Sequence, residues 1–404
     1  MTTPQKSLLE IKKESTPTEF AQFLREKGSL YFWEKGGFWV VTDFRLAEEV
    51  LKSPVYSADR SAFFISRMPD MDLSLIKDFF EVVMKMMVMS DGKPHNARRK
   101  IASLGLTDAL LESYKPMIQA TVDRIIENCR KEKSFDFNSQ MAEILPSTVL
   151  ADLFEIPETD RKNFFKWSIN MTQFFGGASA YQNADGIEVN QSALNLKNFF
   201  TDLVRKRKEN PGKDFLSILV RHQKEFELTD DEIVSQAIMM LVAGQVTTTD
   251  QLGSNFLTFL KTEGVQDKLR NRPELLGTAL EEFHRLDPAV TFIFRVIKED
   301  TKLGNRELKK GEVVFISTHS VNRDPQVFEA ANDCVLDRKY NPHFAFGHGA
   351  HFCLGAKLAR IEMNLLFTSL LKDLPPLKLL SPPIHNHYSL AFSGFKQIQV
   401  SILD

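Results

Sequence analysis

The sequence predicts a mainly α protein: one compact, helix-rich body with a few small β-sheets, residues 1–404 forming a single domain. Three observations lead there. Apolar side chains recur every three or four positions through "LESYKPMIQATVDRIIENCRKE", "SALNLKNFFTDLVRKRKEN" and "RIEMNLLFTSLLKDL", the spacing that places them on one face of a helix. Strand-like runs are short and scattered: "FWVVTD" early, "FIFRVIKED" and "GEVVFIST" later, and "KQIQVSIL" at the end. Interruptions such as "KENPGKDF" are turn-sized, and neither a fixed-period repeat nor a low-complexity tract marks a domain boundary.

Composition bounds the function. With 404 residues and 43% hydrophobic content the chain can bury a large core. A formal net charge of -2, from 51 basic and 53 acidic residues, leaves no excess of the kind that marks a general nucleic-acid binder. The opening "MTTPQKSLLEIKKESTPTEF" is polar, with neither a secretory apolar core nor the roughly 20 apolar residues of a membrane span, so a soluble cytoplasmic protein without membrane contact is expected, and a monomer is expected as well. Three scattered cysteines, Cys129, Cys334 and Cys353, are too few for a disulfide framework or a four-thiolate metal site. One thiol acts alone, or none acts.

The neighbourhood of Cys353 singles it out. It stands in "HFAFGHGAHFCLGAKLAR", residues 343–360, where Gly347 and Gly349 allow positive φ and close backbone approach, and Gly355 allows tight packing as a helix begins. A thiol at a helix amino terminus is stabilised as thiolate by unpaired amides and the helix dipole. Such a thiolate serves as nucleophile or as iron ligand. Spacing alone does not choose, because His348 and His351 are near enough in sequence to act as a base.

The motif as a whole resembles the haem-binding loop of the cytochrome P-450 family: phenylalanine (Phe346), two glycines, a basic residue, the cysteine and a following glycine stand in register in "FGHGAHFCLG". Three further stretches are similar to the family in order and spacing. "EEFHR" at 281–285 resembles its Glu-x-x-Arg signature, "NRDPQVF" the segment that follows, and "MMLVAGQVTTTDQ" its oxygen-binding helix. The likeness runs from "DGKPHNARR" to the carboxyl terminus. It implies a soluble bacterial-type monooxygenase that binds haem b through the Cys353 thiolate, which pushes electron density onto the iron.

The same resemblance distributes roles. Phe346, Gly347 and Gly355 belong to the haem loop; His95, Arg99, Arg295 and His351 match the partners of the haem propionates, His95 and Arg99 being four apart on one helical face. Glu282 and Arg285 are expected to be buried and joined by Arg338 as a structural lock on the cysteine loop, with His343 as a further brace. In the distal helix the small Ala243 and Gly244 allow close approach, and Thr247, one turn beyond Ala243, carries a hydroxyl able to relay protons. Met239 and Met240 face the same pocket or the core. Where the family places an acid before that threonine this chain has Val246; Gln245 can orient water, and Asp250 lies one turn past Val246. That departure leaves open a peroxide-driven or oxidative-coupling enzyme, and a non-catalytic haem sensor is the third reading.

Pocket walls are expected, by position, from "SAFFISRMPDMDLSL", "FFEVVMKMMVMSD", "FFKWSINMTQFFGGASAYQ", "PAVTFIF" and "AFSGF". Their Phe and Met content implies a large adaptable cavity for a hydrophobic small-molecule or carrier-bound substrate, as in secondary metabolism, with Lys85 and Arg67 as candidates to meet a carboxylate or phosphopantetheine group. No fused flavin domain has room after the haem loop, so a separate ferredoxin or flavodoxin with its reductase is implied. Arg98, Lys100, Lys357 and Arg360 are candidates for a basic patch that meets it.

Overall fold

The computed structural model describes residues 6–177, 183–386 and 389–403, in which sixteen α-helices and small sheets divide into two compact units. Residues 1–56, 122–144 and 247–404 form the first, residues 57–121 and 145–246 the second.

In the first unit the strand Phe38–Val41 pairs antiparallel with Leu30–Trp33 and parallel with Val313–Ser317, on which Phe292–Ile297 closes antiparallel. All five residues of Val313–Ser317 are buried. This explains why "VVFIS" is a continuous apolar run rather than an alternating one. Phe315 stacks between Phe38 (4.1 Å between ring centroids) and Phe294 (4.8 Å). The core beneath, built from Val41, Val50, Leu51, Val314 and Ile316, also takes in Phe344, so the base of the cysteine loop is rooted in the sheet.

The terminal run "KQIQVSIL" divides at Ile398. Gly394–Gln397 pairs with Ile384–Asn386, while Gln399–Ile402 lies between Ser134–Asp136 and Leu377–Leu379. Two amino-terminal helices, Leu8–Lys13 and Pro17–Glu26, each open on a reciprocal capping box, Ser7 with Glu10 and Thr16 with Glu19.

The second unit is helical. Phe154 gathers Phe200 (5.2 Å), Phe215 (5.4 Å) and Phe164 (6.5 Å) into an aromatic core among the helices Ile144–Leu153, Glu158–Gly177, Asn183–Glu209 and Phe215–His222. The helix Asp230–Lys261 runs 32 residues and contributes its first half to this unit and its second half to the other. No described helix is long and apolar enough to cross a membrane.

Candidate haem-thiolate site

Cys353 lies on an irregular loop, three residues before the helix Ala356–Asp373, with Gly355 as N-cap. Its amide donates to the Phe346 carbonyl (2.8 Å), which folds the loop back on itself. Gly347 (φ 71°) and Gly349 (φ 70°) both take the left-handed conformation. A Cβ at Gly349 would also overlap the Leu51 carbonyl, so here glycine is required twice over. Gly355 differs from expectation: its φ is -82° and a Cβ would meet no chain atom within 4 Å, so no packing against the chain demands it. Cys129 is buried, Cys334 half-buried, and Cys353 exposed.

Beneath this loop sits a buried charge lock. On the helix Leu276–Leu286, Glu282 and Arg285 have fully buried side chains and pair in a fork, Nη2 to Oε1 at 2.7 Å and Nε to Oε2 at 2.8 Å. Arg338 Nε donates to both Glu282 oxygens (3.1 and 3.0 Å), and Asn341 Nδ2 and the Val335 amide complete the carboxylate. Arg285 spends its other donors on the carbonyls of Asn322, Ala331 and Asp333. Burial pushes the Glu282 carboxyl up, but the bonds from Arg285 and Arg338 outweigh it and hold the group below the usual carboxylate range. The lock reaches the cysteine loop through Asn322, whose Nδ2 donates to the Arg285 carbonyl (3.1 Å) and whose Oδ1 accepts from the Phe344 amide (2.7 Å).

A second carboxylate, Glu281, was not among the sequence candidates. Arg360 grips it with two bonds of 2.7 Å, His343 Nε2 lies 3.1 Å from Oε2, and the Arg360 guanidinium stands 4.3 Å from the Phe346 ring centroid. His343 Nδ1 accepts from the Ala345 amide (3.3 Å), so Nε2 is the protonated nitrogen and His343 braces the loop as expected. Burial opposes ionisation of Glu281, yet these donors hold its carboxyl far below the usual range. His284 stacks parallel to His343; burial pulls its imidazole down to about 3, against the charge of Glu281, so the ring is neutral. Adjacency to Glu282 was the signal in the sequence, two acids in a row on a mostly buried helix.

Of the four cations offered as a partner-facing patch, the structure withdraws two. Arg360 is committed to Glu281, and Arg98 is 9% exposed and paired with Glu232 at 2.9 Å. Lys100 and Lys357 are exposed. Lys85 is likewise corrected as a substrate-greeting charge: it pairs with Asp231 (2.7 Å) and Glu81 (3.5 Å). Arg67 lies 4.8 Å from the Phe63 ring centroid. His95 is buried and Arg99 half-buried on the helix Gly92–Leu104; Arg295 is buried on its strand, donating to the Phe294 carbonyl at 2.9 Å; His351 is half-buried.

The helix Asp230–Lys261 keeps one face open. Ala243 is exposed and Gly244, Val246 and Thr247 are half-exposed, whereas Met239 and Met240 belong to the core. A Cβ at Gly244 would press on Leu150 at 3.2 Å, a packing reason for that glycine. Gln245 is buried and turned to Ser147 (3.4 Å), away from the open face. Asp250 is buried with its carboxylate against Gly394 of the late turn, where any Cβ would overlap it. The predicted wall segments are also less open than expected: Met68, Met71, Met86, Met87 and Met89 are buried, and residues 178–182 of "FFKWSINMTQFFGGASAYQ" lie outside the described residues.

An exposed thiol on a glycine-shaped loop, braced by the buried Glu282 and the half-buried Glu281, is a site suited to holding a metal cofactor through sulfur. The comparisons agree: a family model described as cytochrome P-450 matches residues 7–376, and the chain belongs to the cytochrome P-450 family. It is 31% identical over 368 residues to the biotin biosynthesis cytochrome P-450 of Bacillus subtilis, covering 90% of each chain. It is 31% identical over 298 residues to a steroid C26-monooxygenase of Mycobacterium tuberculosis, covering 73% of this chain and 79% of the other. Among solved structures it is similar to a P-450 in complex with hexadec-9Z-enoic acid ligated acyl carrier protein, with a TM-score of 0.90, 28% identity, and 98% and 100% of the two chains covered. The protein is thus an oxidoreductase of the monooxygenase class whose cofactor is haem held by a cysteine thiolate. The residues present fit that group: a soft sulfur donor stands exposed on its loop, and Gly355 leaves open the room that a Cβ would fill.

Proposed function

We propose that Cys353 is the residue whose thiolate would hold the haem iron and that the enzyme inserts one oxygen atom from dioxygen into a bulky hydrophobic substrate, free or carrier-bound. The observation that carries this reading is the exposed Cys353 thiol on its glycine-shaped loop. When bound, the haem supplies the activation of dioxygen, driven by thiolate donation. In this reading all 404 residues serve one cytoplasmic haem domain. His95, Arg99, Arg295 and His351 supply cations and N–H donors for the two propionates. Phe346 and Gly347 shape the loop, the small Ala243 leaves its helical face open, and Gly244 lets the helix pack against Leu150. Thr247 holds and passes a proton at its hydroxyl. Electrons come from a separate ferredoxin or flavodoxin and its reductase. The acyl carrier complex of one relative and the steroid substrate of another support an extended apolar substrate.

A second reading rests on Val246. Valine carries no proton, Gln245 is turned to Ser147, and Asp250 is held against Gly394. In this reading proton delivery at Thr247 is impaired by the valine in the acid's place, and the site serves peroxide-driven oxygenation or oxidative coupling. Product formed per reductant consumed separates the readings in wild type, Val246→Glu and Asp250→Asn. Monooxygenation predicts a well-coupled wild type that gains nothing from Val246→Glu. Poor coupling rescued by Val246→Glu, with efficient turnover on peroxide alone, establishes the second reading.

A further inference from the structure

Lys12 ends the helix Leu8–Lys13, yet its residue exposure is only 8%. Its ammonium donates to Thr291 Oγ1 (3.0 Å) and to the carbonyl oxygens of Ser389 (3.2 Å), Leu390 (3.2 Å) and Phe392 (2.5 Å). An ammonium has three N–H donors, so these acceptors surround it much as oxygens surround a bound cation. None of the four is a carboxylate. The Thr291 hydroxyl spends its own proton on the Leu390 carbonyl (2.6 Å), which leaves its lone pairs for Lys12.

Three peptide carbonyls drawn to one buried point repel one another unless a positive charge stands there. The ammonium stands where these carbonyls of the turn at 389–393 converge and offsets that repulsion. Backbone pairing fastens the same turn to the start of a strand: the Thr291 amide donates to the Ala391 carbonyl and the Ser393 amide to the Ala289 carbonyl, both at 2.8 Å. Within the turn Ser389 Oγ accepts from the amides of Ala391 (2.9 Å) and Phe392 (3.3 Å). The charged and titratable groups that face Lys12 from the packed elements are Asp287 and Asp250, which favour the ammonium, and His319 and His385. Burial pulls the ammonium down to about 7 despite both carboxylates, so this position holds a cation at a cost that a solvated lysine would not bear.

We propose that Lys12 is a positioning residue for the substrate wall: its ammonium fixes the turn 389–393 against Ala289–Thr291 and so sets the shape of the apolar surface these segments present. The inference rests on the reading above that 288–294 and 391–395 line the substrate pocket. Lys12 itself touches no substrate. It acts through backbone carbonyls, from a helix that nothing in the cysteine motif would single out.

The test uses haem-loaded full-length protein and two probes that ligate the iron whatever the natural substrate, imidazole and N-dodecylimidazole, read by optical titration. In Lys12→Met the Kd ratio of the two probes should shift at least about fivefold, with imidazole itself changing less than about twofold. Thr291→Val should shift the ratio the same way by less, and it remains informative if Lys12→Met loads no haem. Hydrogen exchange at the amides of Ala391 and Phe392 should quicken in both variants, and Lys12→Arg should restore part of the protection. Phe392→Ala, which alters the turn directly, tells two failures apart. If it moves the ratio and neither Lys12→Met nor Thr291→Val does, the role of Lys12 is overturned. If it leaves the ratio unchanged, the wall assignment itself is wrong.

Discussion

Cys353 differs from the other two thiols in its surroundings. Burial pushes Cys129 up to about 12 and Cys334 up to about 11, which keeps both protonated and inert, while Cys353 is exposed. Cys353→Ala should therefore abolish the strongly red-shifted Soret band of the reduced carbon monoxide complex, and alanine at Cys129 or Cys334 should leave it in place. Retention of the band in Cys353→Ala would remove the assignment. The two adjacent arginines of "HNARR" show where reading by residue stops. Arg98 is sunk against Glu232 and Arg99 is half-buried, because neighbours on a helix project about 100° apart and only the packed structure decides which of them meets a carboxylate.

At the scale of elements the helix Leu276–Leu286 braces the cysteine loop through its charged side chains. Its two acids divide the work, Glu282 binding Arg285 and Arg338, and Glu281 binding Arg360 and His343. Removing one member of a buried pair strands its partner in low dielectric, at about 3–5 kcal/mol. Glu282→Ala and Arg285→Ala should therefore lose folded haem-loaded protein, measured as soluble yield and absorbance ratio. Soluble, fully loaded but inactive variants would contradict this. Arg99→Ala, half-buried and outside the lock, should leave the fold intact and speed haem release in mild urea. Glu-x-x-Arg was legible as a pair, but its carbonyl partners at Asn322, Ala331 and Asp333 were not, since backbone acceptors carry no mark in sequence.

For the whole molecule, two buried ionisable groups give stability opposite pH slopes. Glu362, on the helix after the cysteine, is buried with Oε2 making no hydrogen bond within the chain, and burial pushes its carboxyl from 4.5 up to about 8. The unfolded chain releases that proton first, so stability falls as pH rises from about 4.5 to about 8. Lys12 runs the other way: with its ammonium pulled from 10.5 down to about 7, the unfolded chain binds more protons above pH 7, and stability rises toward 10.5. Glu362→Gln should raise Tm by about 2–5 °C near pH 8 and leave it nearly unchanged near pH 4. Lys12→Met should abolish the alkaline rise. A Glu362→Gln profile parallel to wild type across that range would show that the carboxyl is ionised in the folded state.

The sequence by itself determined the helix-rich class, the strands at "FWVVTD", "FIFRVI" and "VVFIS", the cysteine loop and the pairing of Glu282 with Arg285, because periodicity, glycine chemistry and short fixed spacings are local properties. Tertiary structure alone decided which charges are spent and which are open. It committed Arg360, Arg98 and Lys85 to acidic partners, sank the wall methionines, turned Gln245 away from the open face and set Asp250 against Gly394. It also carried Lys12 to a turn 377 residues away in the chain. Burial and charge pairing depend on what arrives from distant segments, and a lysine near the amino terminus reads as solvated until the fold brings it carbonyls in place of water.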